Sequence, residues 1–297
     1  MDHKVFLQSL SVDEKVALTE KSNRKGFLHL AAYAALTIGC AIWVWRLAPF
    51  WPVAFVVLAI LLAFTFTLQH ECTHDTPFQT RWVNLAVGFL TGVILFQPFL
   101  WFRYFHLAHH RHTNDPGHDP ELDGDGKPET WRDFIWHLST VPYWSAKVSV
   151  LWQNAFSQEF AHYIPTAARP KIQREARFMM LVYTAAAVAL WFEPKVIIIW
   201  LLPLAAGFPF LRLYLLAEHG RCAFIANMFE NTRTTFTNQV IRFIAWNMPY
   251  HTEHHVFPNV PFHSLPALHR LMAQHLQVTS NGYTEFTRAY VSGFKSR

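Results

Sequence analysis

The sequence predicts an all-α polytopic membrane protein built on two transmembrane helical hairpins, and three observations predict it. Of the 297 residues 52% are hydrophobic and only 15% charged, a balance outside the usual range of soluble domains. The apolar residues are gathered into runs near the roughly 20 residues that a helix needs to cross a bilayer core. The histidines, 18 in all, crowd where those runs give way to polar sequence.

Residues 1–25 are polar with alternating charges and no small-residue cleavage site, so a short cytoplasmic lead-in or interfacial helix is expected and a cleaved signal is not. The first apolar run extends from Phe27 to about Ala48 and the second from Phe50 to about Gln69. Their junction, Ala48-Pro49-Phe50-Trp51-Pro52, has no charge and two prolines, the composition of a tight hairpin with interfacial aromatics. With the basic group Lys21, Arg24, Lys25 inside, the chain crosses out and returns, delivering His70 and His74 to the cytoplasmic surface.

The third run, Trp82 to Phe102, raises a question of parity. A single crossing would put the histidines before and after it on opposite faces. We therefore expect a re-entrant or interfacial segment, with Gly88, Gly92 and Pro98 allowing the break and neighbouring protein covering the turn, because lipid cannot satisfy irregular backbone. Residues 103–177 are rich in Arg and Lys and read as cytoplasmic; within them Val141 to Phe156 is either an amphipathic surface helix or part of the cytoplasmic core. A short fourth run, Phe178 to Phe192, the turn Glu193-Pro194-Lys195 and a fifth run, Val196 to Ala217, make the second hairpin. Residues 218–297 return as the rest of a helical cap, so the whole chain, 1–297, is expected to be one domain.

Four imidazoles fall within seven residues at His106, His109, His110 and His112. On a helix the first three stand at i, i+3 and i+4 and share a face; His112 points elsewhere. His251, His254 and His255 repeat that spacing, His70 and His74 lie one turn apart, and His219 follows the second hairpin. Neutral imidazole suits zinc, copper, iron and nickel. Eight or nine such donors exceed the needs of one ion, since a structural zinc takes four ligands and a catalytic one about three; two ions fit. Two zincs would support hydrolysis, and two irons would support redox chemistry with dioxygen. The three cysteines, Cys40, Cys72 and Cys222, are far apart, which excludes an iron–sulfur cluster, a zinc ribbon and a disulfide framework within this chain. The net charge of +5 is what cytoplasmic loops of a multi-pass protein carry, and no nucleic-acid partner is expected.

The order His-x-x-x-His, His-x-x-His-His, lone His, His-x-x-His-His resembles the membrane fatty acid desaturase superfamily of non-haem di-iron enzymes. The likeness runs from His70 to His255, and His-His-Arg-His-Thr-Asn-Asp and Trp-Asn-Met-Pro-Tyr-His-Thr-Glu-His-His are similar to bacterial members called desaturases or hydrocarbon oxygenases. The resemblance implies metal ligands at His70, His74, His106, His109, His110, His219, His251, His254 and His255. It implies two Fe ions, O2 as co-substrate, a lipid or fatty acyl substrate and a place in the bacterial cytoplasmic membrane, with termini and histidines on the cytoplasmic face. Introduction of a double bond is the favoured reaction; hydroxylation of a lipid, alkane or carotenoid on the same scaffold is the alternative. Without a haem motif or cysteine cluster, electrons must come from a ferredoxin or cytochrome with its reductase.

Two other patterns compete. His70-Glu71-Cys72-Thr73-His74 also satisfies the zinc-protease pattern with Glu71 as general base, and Leu122-Asp123-Gly124 is similar to a sequence of intramembrane proteases. That reading leaves seven clustered histidines unused. The loop 119–130 is faintly like a calcium loop but has Glu121 in place of the third-position Asp or Asn and Thr130 in place of the terminal Glu, and a solvated turn is expected. Asp75, Asp115, Asp119, Glu218, Asn247 and Glu253 are candidates for hydrogen-bonding the ligand rings from outside.

Overall fold

The computed structural model describes residues 2–123 and 126–294. Gly124 of the Leu-Asp-Gly sequence and the last three residues of the expected cap lie outside them. Two short helices, α1 (His3–Ser9) and α2 (Val12–Thr19), precede the first hairpin; α2 opens with a capping box between Ser11 and Glu14. The hairpin is α3 (Asn23–Trp45) and α4 (Trp51–Thr73), turning at Phe50, with Pro52 in the first turn of α4. Each is 23 residues, about 35 Å of helix.

The third apolar run is α5 (Arg81–Leu95) followed by α6 (Phe99–His112), bent by 99° at a break of three residues. Pro98, which lacks an N–H, sits at the bend. The bend is covered by protein: Tyr183 Oη donates to Val93 O at 2.9 Å, which otherwise receives only the 3.4 Å bond from Phe96 N, and Trp200 Nε1 donates to Ile94 O at 3.1 Å, so carbonyls at the end of α5 are satisfied by side chains. Phe96 stacks on the rings of Tyr183 and Trp200, and Gln97 Nε2 donates to Gln69 Oε1 of α4 while Gln69 Nε2 donates to the Gln97 backbone carbonyl. The expectation of a broken, covered element describes this geometry.

Helices α7 (Trp131–Leu138) and α8 (Val141–Phe156) follow. On α8, Leu151 and Ala155 pack against Ala176 and Met179, while Val148, Trp152 and Phe156, spaced four apart, face outward. The next helix, α9 (Arg169–Phe192), corrects the expected start at Phe178. It has 24 residues because Arg and Lys are good helix formers: charge ends an apolar run without ending the hydrogen-bond ladder. The return helix α10 (Leu202–His219) is preceded by a π-helical turn at Ile197–Leu201. Among the described residues four helical segments are long and apolar enough to cross a membrane, Val12–Trp45, Trp51–Thr73, Thr166–Phe192 and Ile197–His219, or five if the bent pair α5 and α6 is one span.

Helix α4 is the centre of the bundle, packed by α3, α5 and α10. Gly207 lets α10 close on it, for a Cβ there would lie 1.9 Å from Ala59 O. Beyond α10 come α11 (Met228–Asn231), α12 (Gln239–Ile244), α13 (His251–Val256), α14 (Leu265–Met272) and α15 (Tyr283–Ser292). Two-residue strands β1 (Thr234–Thr235) and β2 (Thr279–Ser280) pair in parallel and tie this cap together. All six residues of α13 are buried.

Candidate metal centre

Three helix ends and one short helix supply the histidines. His70 lies in the last turn of α4 and His74 caps it; His106, His109 and His110 share a face of α6; His219 ends α10; His251, His254 and His255 come from α13. Every one of these rings is buried except that of His110, which is partly so.

They form two adjoining groups. The donor nitrogens of His70, His74, His106, His110 and His254 lie within 4.8 Å of one another, as do those of His109, His219 and His255. His251 joins the second group, its Nε2 3.1 Å from that of His219. The rings of His110 and His255 stack at 4.0 Å and join the two. Within the groups, Nε2 atoms approach at 2.9 Å (His74 and His106), 3.1 Å (His110 and His254) and 3.2 Å (His109 and His219). Two nitrogens bound at right angles to one ion at about 2.1 Å would stand about 3 Å apart.

Hydrogen bonds between rings could explain those pairs but not the remaining atoms. Both nitrogens of His70 and Nε2 of His255 are buried with no hydrogen-bond partner, a cost that a native site bears only where something else satisfies them. Burial holds His74, His106, His110, His251, His254 and His255 well below the ordinary imidazole value, leaving neutral rings with a lone pair to give. His109 is the exception: burial works against its charge, but Glu121 and Asp119 outweigh it. An all-nitrogen, largely neutral donor set fits divalent first-row metals.

The outer nitrogens of three rings are hydrogen-bonded as those of metal-ligating imidazoles usually are. Asp119 receives His109 Nδ1 at 2.9 and 3.0 Å, the Asn231 carbonyl faces His219 Nδ1 at 3.1 Å, and Thr113 Oγ1 faces His255 Nδ1 at 3.1 Å. Glu218 stands 3.4 Å from His251 Nδ1 and Glu71 3.7 Å from His254 Nδ1. Of the expected outer residues, then, Asp119 and Glu218 reach ligand rings. The others do not: Asp75 grips Arg103, Asp115 pairs with His118, Asn247 holds the Phe262 carbonyl, and Glu253 binds Thr234 and His269. Thr113 and Asn231 escaped sequence reasoning because their partners lie 142 and 12 residues away and neither is a titratable residue. In the sequence Glu71 stands out only as the general base of the zinc-protease pattern. It instead accepts from Thr76 Oγ1 and Phe262 N and lies on the outer side of the His254 ring. His112 stacks on His118 away from the cluster, as its spacing predicts.

A cavity of about 570 Å3 reaches His70, His106, His109 and His251 along an apolar wall that includes Phe66, Phe102 and Phe105. That volume is in the range of small-molecule sites. A second cavity, about 500 Å3, is lined in part by His110 and His255.

A family model described as fatty acid desaturase matches residues 47–287. The chain is 24% identical to the sn-1 oleoyl-lipid 12-desaturase of Anabaena variabilis over 279 residues, which take in 86% of this chain and 65% of that protein. A fatty acid conjugase of Calendula officinalis is 36% identical over 69 residues, 23% of this chain and 18% of that one. The human protein named sphingolipid delta(4)-desaturase/C4-monooxygenase is 26% identical over 254 residues, 78% of this chain and 68% of the relative. The chain thus spans less than two thirds of the length of the first two relatives.

Proposed function

On the premise that this chain belongs to the fatty acid desaturase family, we propose that it is a membrane-bound, O2-dependent di-iron oxidoreductase that introduces a double bond into a lipid or acyl chain. The observation that carries the proposal is the pair of adjoining buried histidine groups at one end of an apolar cavity. We assign His70, His74, His106, His110 and His254 to one iron and His109, His219, His251 and His255 to the other. When bound, such a pair supplies the reduction of dioxygen and the abstraction of hydrogen from an unactivated C–H bond.

The chain's own residues then do the rest. Asp119 fixes the orientation of His109 and the Thr113 hydroxyl that of His255, so these lone pairs are aimed before a metal arrives, while Glu218 and Glu71 place negative charge behind His251 and His254. Phe66, Phe102 and Phe105 line the path of an acyl chain and keep water from it. Holding two neighbouring carbons against the site decides between a second hydrogen abstraction and oxygen transfer, a matter of sub-ångström placement. The printed name of the human relative joins both outcomes, so hydroxylation is the second reading.

We read the whole chain, 1–297, as one such domain, with the bundle in the membrane and the cap, both termini and the histidines on the cytoplasmic side. The density of Arg and Lys from Arg103 to Arg177 supports that orientation. Electrons are expected from a ferredoxin or cytochrome with its reductase. Mass spectrometry of lipids from cells expressing the protein tests the reaction: a species lighter by two hydrogens supports desaturation and one heavier by an oxygen supports hydroxylation. His109→Ala and His254→Ala should each abolish the product and lower bound iron together. Purified protein holding one zinc and no iron would overturn the proposal.

A further inference from the structure

The cavity beside the metal centre carries a second polar feature. Lys147, on α8, is only 9% exposed, and its Nζ donates to Gln97 Oε1 and lies 4.6 Å from the ring centroid of Tyr143. Among the described residues it makes no ion pair. Of the described acids Glu121 acts on it, and its side chain is 41% exposed and turned to His109 Nδ1 at 3.7 Å. A second cation, the Arg212 guanidinium, stands 5.5 Å from the same Tyr143 ring and donates to His137 Nδ1 at 2.7 Å. Tyr143 Oη is buried with no hydrogen-bond partner. Lys147, Tyr143, Arg212 and His137 all line the cavity that reaches His70 and His106.

Burying an ammonium without a counter-charge and a phenol without a partner are both costly, and here the two costs fall side by side in an open cavity. What would relieve both is one anion with two or more acceptor oxygens. We propose that Lys147 and Tyr143, within the field of Arg212, form an anion-binding subsite for the carboxylate or phosphate of an amphiphile whose apolar part lies along Phe102 and Phe105. The proposal rests on the reading of this cavity as the substrate's, and it narrows the substrate class to anionic amphiphiles over neutral lipids and hydrocarbons. Burial first, and then Arg212, hold the Lys147 ammonium down to about 7. A bound anion favours the charged form, so binding near neutral pH should take up a proton.

The test is displacement of a neutral fluorescent amphiphile from the full-length protein in non-ionic detergent, using dodecanoate, dodecyl phosphate and dodecanol. A charge-assisted hydrogen bond in a buried site corresponds to about ten- to a hundredfold in affinity. One or both anions should therefore compete better than dodecanol by that factor, and whichever anion wins identifies carboxylate or phosphate as the source. Lys147→Met should erase the preference while leaving dodecanol unchanged, and Lys147→Arg should keep it. If Lys147→Met does not fold, Tyr143→Phe decides, since it should weaken the anion alone. Equal competition by all three probes, or an anion preference that survives Lys147→Met, overturns the subsite and makes Lys147 a structural partner of Gln97. Because displacement needs no turnover, its failure leaves the metal assignment standing, and a failure of iron binding leaves this result readable.

Discussion

Asp119→Asn is the sharpest probe of how the metal centre is held. The carboxylate of Asp119 is buried and accepts four contacts: His109 Nδ1 on both oxygens at 2.9 and 3.0 Å, Asn114 N at 2.8 Å and Glu121 N at 2.9 Å. An amide of the same shape keeps one acceptor oxygen but turns an NH2 toward a donor. Either a backbone N–H or the His109 Nδ1–H then loses its partner, and the negative charge that fixes the ring tautomer is gone. Loss of such a partner lowers metal affinity by about 10–100-fold, or about 1.4–2.8 kcal/mol. The assay is iron retained by purified protein across a graded series of chelator concentrations, with Asp115→Asn as the control, since Asp115 is exposed and pairs with His118 on the same loop. Asp119→Asn should release iron at correspondingly lower chelator and the control should match the parent. Coincident release curves for parent and Asp119→Asn would refute the role given to this hydrogen bond.

Three further perturbations bear on the frame. Tyr183→Phe removes one of two donors from Val93 O at the bend between α5 and α6, leaving the longer bond from Phe96 N, and should cost about 0.5–1.5 kcal/mol; an unchanged thermal midpoint in detergent would mean that the Phe96 N–H alone satisfies that carbonyl. Gly207→Ala drives a methyl into Ala59 O; parting α10 from α4 should cost about 1–3 kcal/mol or more and lower iron content through displacement of His219, and parent-like melting with full iron would contradict the close packing. Removing metal with chelator should lower the thermal midpoint, because a ligand present at 100 times its Kd stabilises by about 2.7 kcal/mol; identical midpoints with and without iron would argue against binding at these buried rings.

The histidine spacings and the apolar run lengths already determine much of this protein. Both are local properties: His106, His109 and His110 share a face on any α-helix, and a run such as Phe50 to Gln69 is long enough to cross a bilayer wherever it sits. Parity alone then called for a break in the third run, because rings on opposite faces cannot meet, and α5 and α6 do meet at a bend of 99°. What only the tertiary structure decided is how the nine rings divide. Five nitrogens gather about one point and those of His109, His219 and His255 about a second, with His251 beside His219 and with His109 leaving its neighbours His106 and His110 to join His219. That division depends on the approach of four separate helices, and so do the hydroxyl of Thr113, the carbonyl of Asn231 and the outward turn of Glu71. A hydrogen bond between residues 142 positions apart, as between Thr113 and His255, leaves no periodic trace in the chain. The start of α9 was hidden for a related reason: apolar runs report where a chain meets lipid, whereas a helix begins where its backbone ladder does, at Arg169. Lys147 shows the limit most plainly, since in the sequence it is one more basic residue, and only packing against Gln97 and Tyr143 makes it a buried charge beside the site.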